Sequence, residues 1–135
     1  MSRPRFRTLP HRADLRVAVW GADEAELIRN AVAAAVTLAL GRVPRATGRE
    51  WLDIRPWPAG LPSRLVRAVN EALFHLYARH ELAVGFESTA RGARLALAPL
   101  PPGCRPDLEV KAATYHDLRP RRGGGRLSAL ITLDV

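Results

Sequence analysis

Two aspartates near the chain ends could bind a cation. Asp14 closes the segment HRAD, which also contains His11, and Asp134 precedes Val135 in the final run ITLDV. If these segments are neighbours in a sheet, the side chains of Asp14 and Asp134 and the terminal carboxylate of Val135 converge. Carboxylates packed together repel one another unless a cation lies between them, and oxygen ligands suit Ca²⁺, Mg²⁺ or Mn²⁺. The alternative is that Asp14 caps a turn and Asp134 only hydrates a strand end.

The segment EVKAATYHDL, residues 109–118, contains Lys111, the only lysine among 21 basic residues. It predicts a strand with polar residues on both faces, which is unlike a core strand and also fits an edge strand that discourages aggregation. An ammonium is a compact charge that approaches a carboxylate cluster or a phosphate where a flat guanidinium would clash. One predicted face carries Glu109, Lys111, Ala113 and Tyr115, and the other carries Val110, Ala112, Thr114 and His116.

Several catalytic arrangements are missing from the sequence. The run GGG at 123–125 is not followed by the Lys-Ser/Thr of a phosphate-binding loop. One cysteine and four scattered histidines have no zinc-site spacing, and Cys104 lies in a proline-rich loop without a recognisable activating neighbour. A metal-dependent hydrolase remains an alternative, with His11 or His116 beside the carboxylates as its general base.

The pattern of elements predicts an α+β fold. Residues 14–20 alternate as a half-buried strand, and Asp23 with Glu26 forms a capping box that starts a helix ending near Gly41. A second strand at 50–57 precedes a second helix from Pro62 to about Glu81, which carries an exposed row of Arg67, Glu71, His75 and Arg79. Strands at 82–88, 93–99, 109–118 and 126–135 follow. We therefore expect one two-layer domain over residues 1–135, with order β-α-β-α-β-β-β-β and two helices on a mainly antiparallel sheet.

Composition limits the class of protein and the kinds of partner that we expect. An apolar fraction of 47% and a longest apolar run of about ten residues predict a globular cytoplasmic protein without a membrane span. A net charge of +8 is compatible with RNA binding, but the arginines are scattered along the chain, with only short clusters at Arg3/Arg5/Arg7 and Arg119/Arg121/Arg122. A basic RNA-binding module, a merely basic surface and an acidic protein partner therefore remain open.

Three segments together resemble the archease family. HRAD, followed by a strand ending in Trp-Gly and an alanine-rich helix, resembles the family's His-Thr-Ala-Asp opening. EVKAATYHDL is similar, nearly word for word, to its most characteristic motif, and ITLDV resembles its terminal hydrophobic-Asp-hydrophobic signature. The resemblance spans essentially the whole chain in the same order.

The resemblance implies an accessory protein rather than an enzyme. Archeases assist the RtcB-type RNA ligase of tRNA splicing, which uses GTP and Mn²⁺ to join RNA ends through a guanylylated histidine of its own. They promote the guanylylation and multiple turnover of the ligase, and they bind a divalent cation through carboxylates near both chain termini. Carried over here, the metal ligands are Asp14, Asp134 and Val135. The residues implied in ligase activation are His11, Lys111, Tyr115 and His116.

Two departures from the family pattern concern the metal site. Arg12 replaces the usual threonine of the opening motif, and the start of the second helix has no carboxylate before Glu71. If the family's site draws a ligand from that helix, this chain lacks it around Gly60, and Asp53 is the candidate replacement.

Overall fold

A computed structural model of the protein describes residues 14–42, 45–46, 49–89, 91–115 and 118–135. Two helices and seven strands lie in these described ranges. In chain order they are β1 (Asp14–Gly21), α1 (Glu24–Leu40), β2 (Glu50–Ile54), α2 (Leu61–Arg79), β3 (Glu81–Ser88), β4 (Ala93–Pro99), β5 (Ala112–Thr114), β6 (Arg121–Gly123) and β7 (Arg126–Asp134).

The strands form two antiparallel sheets. In the first sheet β7 is central, with β1 along one edge and the short strands β5 and β6 sharing the other edge. In the second sheet β4 lies between β2 and β3. The predicted α+β class, with two helices and antiparallel pairing, is confirmed. The structure adds the division into two sheets and the short strand β6.

Helix α1 begins and ends where its capping residues predict. The Asp23 carboxylate accepts a hydrogen bond from the amide of Glu26 at 2.9 Å, and the Glu26 carboxylate accepts one from the amide of Ala22 at 2.5 Å. Gly41 closes the helix with φ of 75° and donates its amide hydrogen to the Thr37 carbonyl. Glycine adopts this left-handed conformation without strain, which explains the stop.

The core lies where the two helices meet the inner faces of both sheets. Helix α1 contacts β1 and β7 of the first sheet and β3 of the second, while α2 contacts β3 and β5. Burial of apolar side chains from all these elements therefore holds the two sheets together. Truncating Phe86 or Leu95, which are almost fully buried, to alanine would cost about 2–5 kcal/mol. In the part of the chain that the structure describes, neither helix is long and apolar enough to cross a membrane.

One predicted surface position on α2 is buried instead. The sequence placed His75 in an exposed polar row, but His75 is only 5% exposed. Its Nδ1 lies 2.7 Å from Glu81 and its Nε2 lies 3.2 Å from Glu71. The i, i+4 spacing correctly pairs Glu71 with both Arg67 and His75. What the spacing missed is that β3 folds back and covers this side of the helix.

Candidate functional site

Asp14 and Asp134 meet at one end of the first sheet. The pairing of β1 with β7 places these two residues directly opposite each other. On the other side of β7, Asp134 is opposite Ala112 of β5. Residues directly opposite on antiparallel strands point to the same face, with Cβ atoms about 4.5–5.5 Å apart. The two carboxylates, which are 120 positions apart in the sequence, therefore share one face of the sheet.

This acidic pair lies on the outer face, away from the helices. The neighbouring residues Leu15 and Leu133 point inward, and Leu133 is only 2% exposed. Alternation along both strands therefore turns Asp14 and Asp134 outward. Asp14 is exposed and Asp134 is partly exposed.

The strand predicted for residues 109–118 is much shorter in the structure. Among the residues of this segment that the structure describes, only Ala112–Thr114 pairs with β7. The expected alternation also fails, because Val110 and Ala113 are both buried although they were assigned to opposite faces. The prediction of one regular strand was therefore wrong for most of this segment.

Two side chains of α2 form hydrogen bonds with the backbone of this segment. The Asn70 amide brackets Ala113, since its Oδ1 accepts from the Ala113 amide at 2.6 Å and its Nδ2 donates to the Ala113 carbonyl at 3.3 Å. The Tyr77 hydroxyl donates to the Leu108 carbonyl at 2.5 Å and accepts from the Val110 amide at 2.9 Å. These side chains supply backbone hydrogen bonds that a neighbouring strand would otherwise provide. The segment is thus held to the helix on one side and to β7 on the other.

Lys111 lies between these two attachments. Its amide donates to the Asp134 carbonyl at 2.7 Å, which places its backbone beside the acidic pair. Its exposed side chain lines a groove of about 430 Å³ between α2 and the 109–111 segment, together with Phe74 and Glu109. Among the described residues, no carboxylate lies within ion-pair distance of the Lys111 ammonium. The lysine therefore borders the acidic pair through its backbone and presents its charge in the groove.

The hydroxyl of Tyr77 has a shifted pKa. Burial raises the pKa of Tyr77 above its ordinary value of 10.0, the hydrogen bond from Val110 opposes this rise, and the nearby negative charge of Glu109 adds to it. A raised pKa keeps the phenol protonated, and only the protonated hydroxyl can donate to the Leu108 carbonyl. The attachment of the Lys111 segment is therefore complete at neutral pH.

The other predicted site residues have varied surroundings. Tyr115 is 58% exposed just after β5, and the Val135 side chain packs against the core. Asp53 lies on the second sheet and pairs with Arg55 at 2.8 Å, so its suggested role as a replacement metal ligand gains no support. His11 and His116 lie outside the described residues, and their roles stay predictions.

The described residues contain no group of three or more His, Cys, Asp or Glu side chains that could hold a metal ion by themselves. The acidic pair offers two carboxylates. Mg²⁺ is commonly held by one or two carboxylates together with water and substrate phosphates. The donor set therefore fits a cation shared with a phosphate group better than a closed protein site.

The comparisons with known proteins concern the family and the fold. A model of the Archease protein family matches residues 6–135, which include the acidic pair and Lys111. This chain belongs to the archease family. No curated protein matches the sequence.

Two solved archease-like structures share the fold. A crystal structure at 2.0 Å of an archease from Thermotoga maritima, described as a possible chaperone, superposes with a TM-score of 0.76 at 18% identity, covering 99% of this chain and 100% of that chain. The solution structure of protein 1598 from Methanobacterium thermoautotrophicum gives a TM-score of 0.60 at 20% identity, covering 94% of this chain and 96% of that chain. At these identities the likeness extends to the fold alone.

Sequence reasoning missed how this archease positions its central motif. The sequence analysis singled out none of Asn70, Phe74 and Tyr77 as functional residues. The available signal was spacing, because Asn70 and Tyr77 are seven residues apart and therefore share a helix face. Phe74 lies between them in the sequence. Its side chain is 50% exposed, which is a high value for a large aromatic ring.

Proposed function

We propose that this archease is an accessory factor of an RtcB-type RNA ligase and acts through that partner rather than as an enzyme. It promotes guanylylation and multiple turnover of the ligase in tRNA splicing or RNA repair, within the cytoplasm. Family membership supports the proposal. The description of the Thermotoga maritima relative as a possible chaperone also suits a protein that works on another protein.

The observation that carries the proposal is the meeting of three separate segments. The opening motif supplies Asp14, the terminal strand supplies Asp134, and the central motif supplies Lys111. Cross-strand register joins the two aspartates, and a backbone hydrogen bond joins Lys111 to Asp134. These are the segments that resemble the family, so their convergence at one sheet end favours a shared site.

A divalent cation fits this site when this protein and the ligase coordinate it together. Asp14 and Asp134 would hold Ca²⁺, Mg²⁺ or Mn²⁺ from one side, and phosphate oxygens at the ligase would complete its coordination. Such a cation supplies positive charge that stabilises phosphate oxygens during nucleotidyl transfer. The GTP and Mn²⁺ that guanylylation uses belong to the ligase.

The groove beside the acidic pair supplies a contact surface for the ligase. Phe74 offers an exposed aromatic ring, and Lys111 offers a positive charge at the groove wall. Aromatic residues are enriched at the centres of protein interfaces, where their burial provides much of the binding energy. We infer that the ligase covers this groove and that docking brings the acidic pair close to its nucleotide.

The decisive experiment is a guanylylation assay with the RtcB-type ligase of the same organism. The ligase is mixed with GTP and Mn²⁺, and covalent ligase–guanylate is followed with wild-type protein, Asp14→Ala and Lys111→Arg. Asp53→Ala is the matched control, because Asp53 is an exposed carboxylate on the second sheet. Stimulation that the two site variants lose and the control keeps would support the proposal. Absence of stimulation by folded wild-type protein, or full stimulation by Asp14→Ala, would refute it.

A further inference from the structure

The outer face of the first sheet has a second feature at the end away from the acidic pair. Trp20 lies six residues along β1 from Asp14, a distance of roughly 20 Å in an extended strand. Trp20 is on the same outer face as Asp14, and 51% of its surface is exposed. A largely exposed tryptophan on a sheet surface contributes little to the core and is typical of a binding surface.

Arginines from two other strands surround this tryptophan. The guanidinium of Arg126 lies 5.0 Å from the centre of the Trp20 ring. Ser128 is opposite Trp20 on one side and opposite Arg121 on the other, so Trp20, Ser128 and Arg121 form a row across three strands. Arg119, just before β6, lines the same groove. Arg119, Arg121 and Arg126 lie within eight positions of one another in the sequence, and the pairing of β1 with β7 brings Trp20 to them.

These arginines differ in charge pairing from others in the protein. Arg55, Arg64 and Arg94 each pair with a carboxylate, at 2.8 Å, 2.8 Å and 2.7 Å. Within the ranges that the structure describes, no carboxylate pairs with Arg119, Arg121 or Arg126. Their positive charges are available for an external anion, and an arginine fork matches phosphate oxygens well.

The groove between these side chains is open and shallow enough for an extended ligand. Its volume is about 510 Å³, and small or apolar residues such as Ala18 and Leu130 line it between the arginines. Leu130 is 36% exposed. An aromatic ring and an apolar floor bordered by cations provide both surfaces that a nucleotide needs, one for its base and one for its phosphate.

We propose that this outer face binds a short stretch of single-stranded RNA. An unpaired base stacks on Trp20, while Arg119, Arg121 and Arg126 bind the adjoining phosphates. A single strand fits better than a duplex, because stacking on a protein ring requires a base free of its own stack. The net charge of +8 adds long-range attraction for the same ligand.

This proposal goes beyond ligase activation and does not depend on it. The isolated protein binds the RNA, and the acidic pair takes no part in that contact. Loss of ligase stimulation and loss of RNA binding can therefore be measured separately.

The test is direct binding of a fluorescein-labelled twelve-nucleotide oligouridine to the full chain, followed by fluorescence anisotropy at several salt concentrations. Trp20→Ala removes the ring, and Trp20→Phe keeps a smaller one. Arg121→Glu with Arg126→Glu reverses two charges in the groove. Arg91→Glu with Arg105→Glu is the control pair, because both arginines are exposed, lie away from β1, and change the net charge equally. Circular dichroism verifies that each variant is folded.

We expect Trp20→Ala to weaken binding about 5- to 150-fold, the range for loss of one base stack, and Trp20→Phe to recover most of that loss. The double arginine variant should make the slope of log K against log salt shallower by about 1.4, because each phosphate contact to a single strand contributes about 0.7. The control pair should lower affinity less than the site pair at every salt concentration.

Three outcomes would overturn the proposal. If the oligouridine does not bind, or if Trp20→Ala leaves its affinity unchanged, no base stacks on Trp20. Equal losses from the site pair and the control pair would show attraction to the basic surface as a whole. If duplex RNA or an acidic polyglutamate peptide binds as tightly as oligouridine and responds to the same variants, the face recognises polyanions or an acidic protein instead of an unpaired strand.

Discussion

Asp134 is in contact with two other segments of the chain. Its backbone carbonyl accepts a hydrogen bond from the Lys111 amide at 2.7 Å, and on the other side Asp134 lies directly opposite Asp14. The central strand β7 therefore connects the opening and the central motifs of the chain. This single position couples the geometry of the acidic pair to that of the lysine segment. A change in the pairing of β7 would displace both.

Asp134→Asn should separate cation binding from folding. Like charges directly opposite on antiparallel strands destabilise a sheet, so without divalent cations the variant should be more stable than wild type by roughly 0.2–1 kcal/mol. Millimolar Ca²⁺, Mg²⁺ or Mn²⁺ should raise the melting temperature of wild type and leave that of the variant unchanged. Thermal melts with chelator and with each cation would measure this. Equal stabilisation of both proteins by the cations would show that they bind elsewhere.

Lys111→Arg should impair ligase stimulation while leaving stability nearly unchanged. The exposed side chain contributes little to folding, so the free energy of unfolding should stay within about 0.5 kcal/mol of wild type. A planar guanidinium cannot occupy the groove beside Phe74 and Glu109 as a compact ammonium does. Urea unfolding and the guanylylation assay would be run on the same preparations.

The control for this exchange is Arg105→Lys, the reverse change at an exposed loop position. It should alter neither stability nor stimulation. Full stimulation by Lys111→Arg would mean that any positive charge suffices at that position.

Asn70→Ala should loosen the lysine segment from α2. The substitution leaves the amide and carbonyl of Ala113 without the partners that Asn70 provides, which costs about 1–3 kcal/mol when such groups are buried. Hydrogen exchange at Ala113 should become faster, and stimulation of the ligase should fall because Lys111 is held less firmly. Native-state hydrogen exchange followed by mass spectrometry would report the first effect directly.

A matched control exists on α1. Asn30 also donates from its side chain to a backbone carbonyl, that of Trp20, at 2.7 Å. Asn30→Ala makes the same helix substitution at an exposed position and should leave both exchange at Ala113 and ligase stimulation unchanged. If the two variants behave alike, Asn70 has no special part in positioning the segment.

The raised pKa of Tyr77 predicts that the folded protein loses stability at alkaline pH. Its pKa is raised in the folded protein, mainly by burial, so its contribution is complete below the unfolded value of about 10 and is lost as pH rises through the folded pKa. Tyr77→Phe lacks the titrating hydroxyl. The difference in unfolding free energy between wild type and Tyr77→Phe should therefore narrow as the pH passes about 10.

Urea unfolding at pH 8 and at pH values above 10 would measure this difference. Tyr115→Phe is the natural comparison, since the chain has two tyrosines and Tyr115 is 58% exposed. It should change stability little at either pH. A constant difference between wild type and Tyr77→Phe across the range would contradict the raised pKa.

The sequence by itself determined the local elements and the identity of the motifs. Asp23, Glu26 and Gly41 set the bounds of α1, because capping depends on residues within a few positions of the helix end. The strand predicted at residues 93–99 also has the bounds of β4, Ala93–Pro99. Interactions of this kind are short in range, and their signals are therefore written in neighbouring residues.

Only the tertiary structure decided how distant segments meet. The pairing of Asp14 with Asp134 depends on the register of β1 against β7, which no local pattern specifies. The segment around Lys111 is held to α2 because Asn70 and Tyr77, more than thirty positions away, supply partners for its backbone. Strand pairing likewise brings Trp20 to the arginines around it. Long-range hydrogen bonding and the burial of the helices, rather than local propensity, therefore built both surfaces.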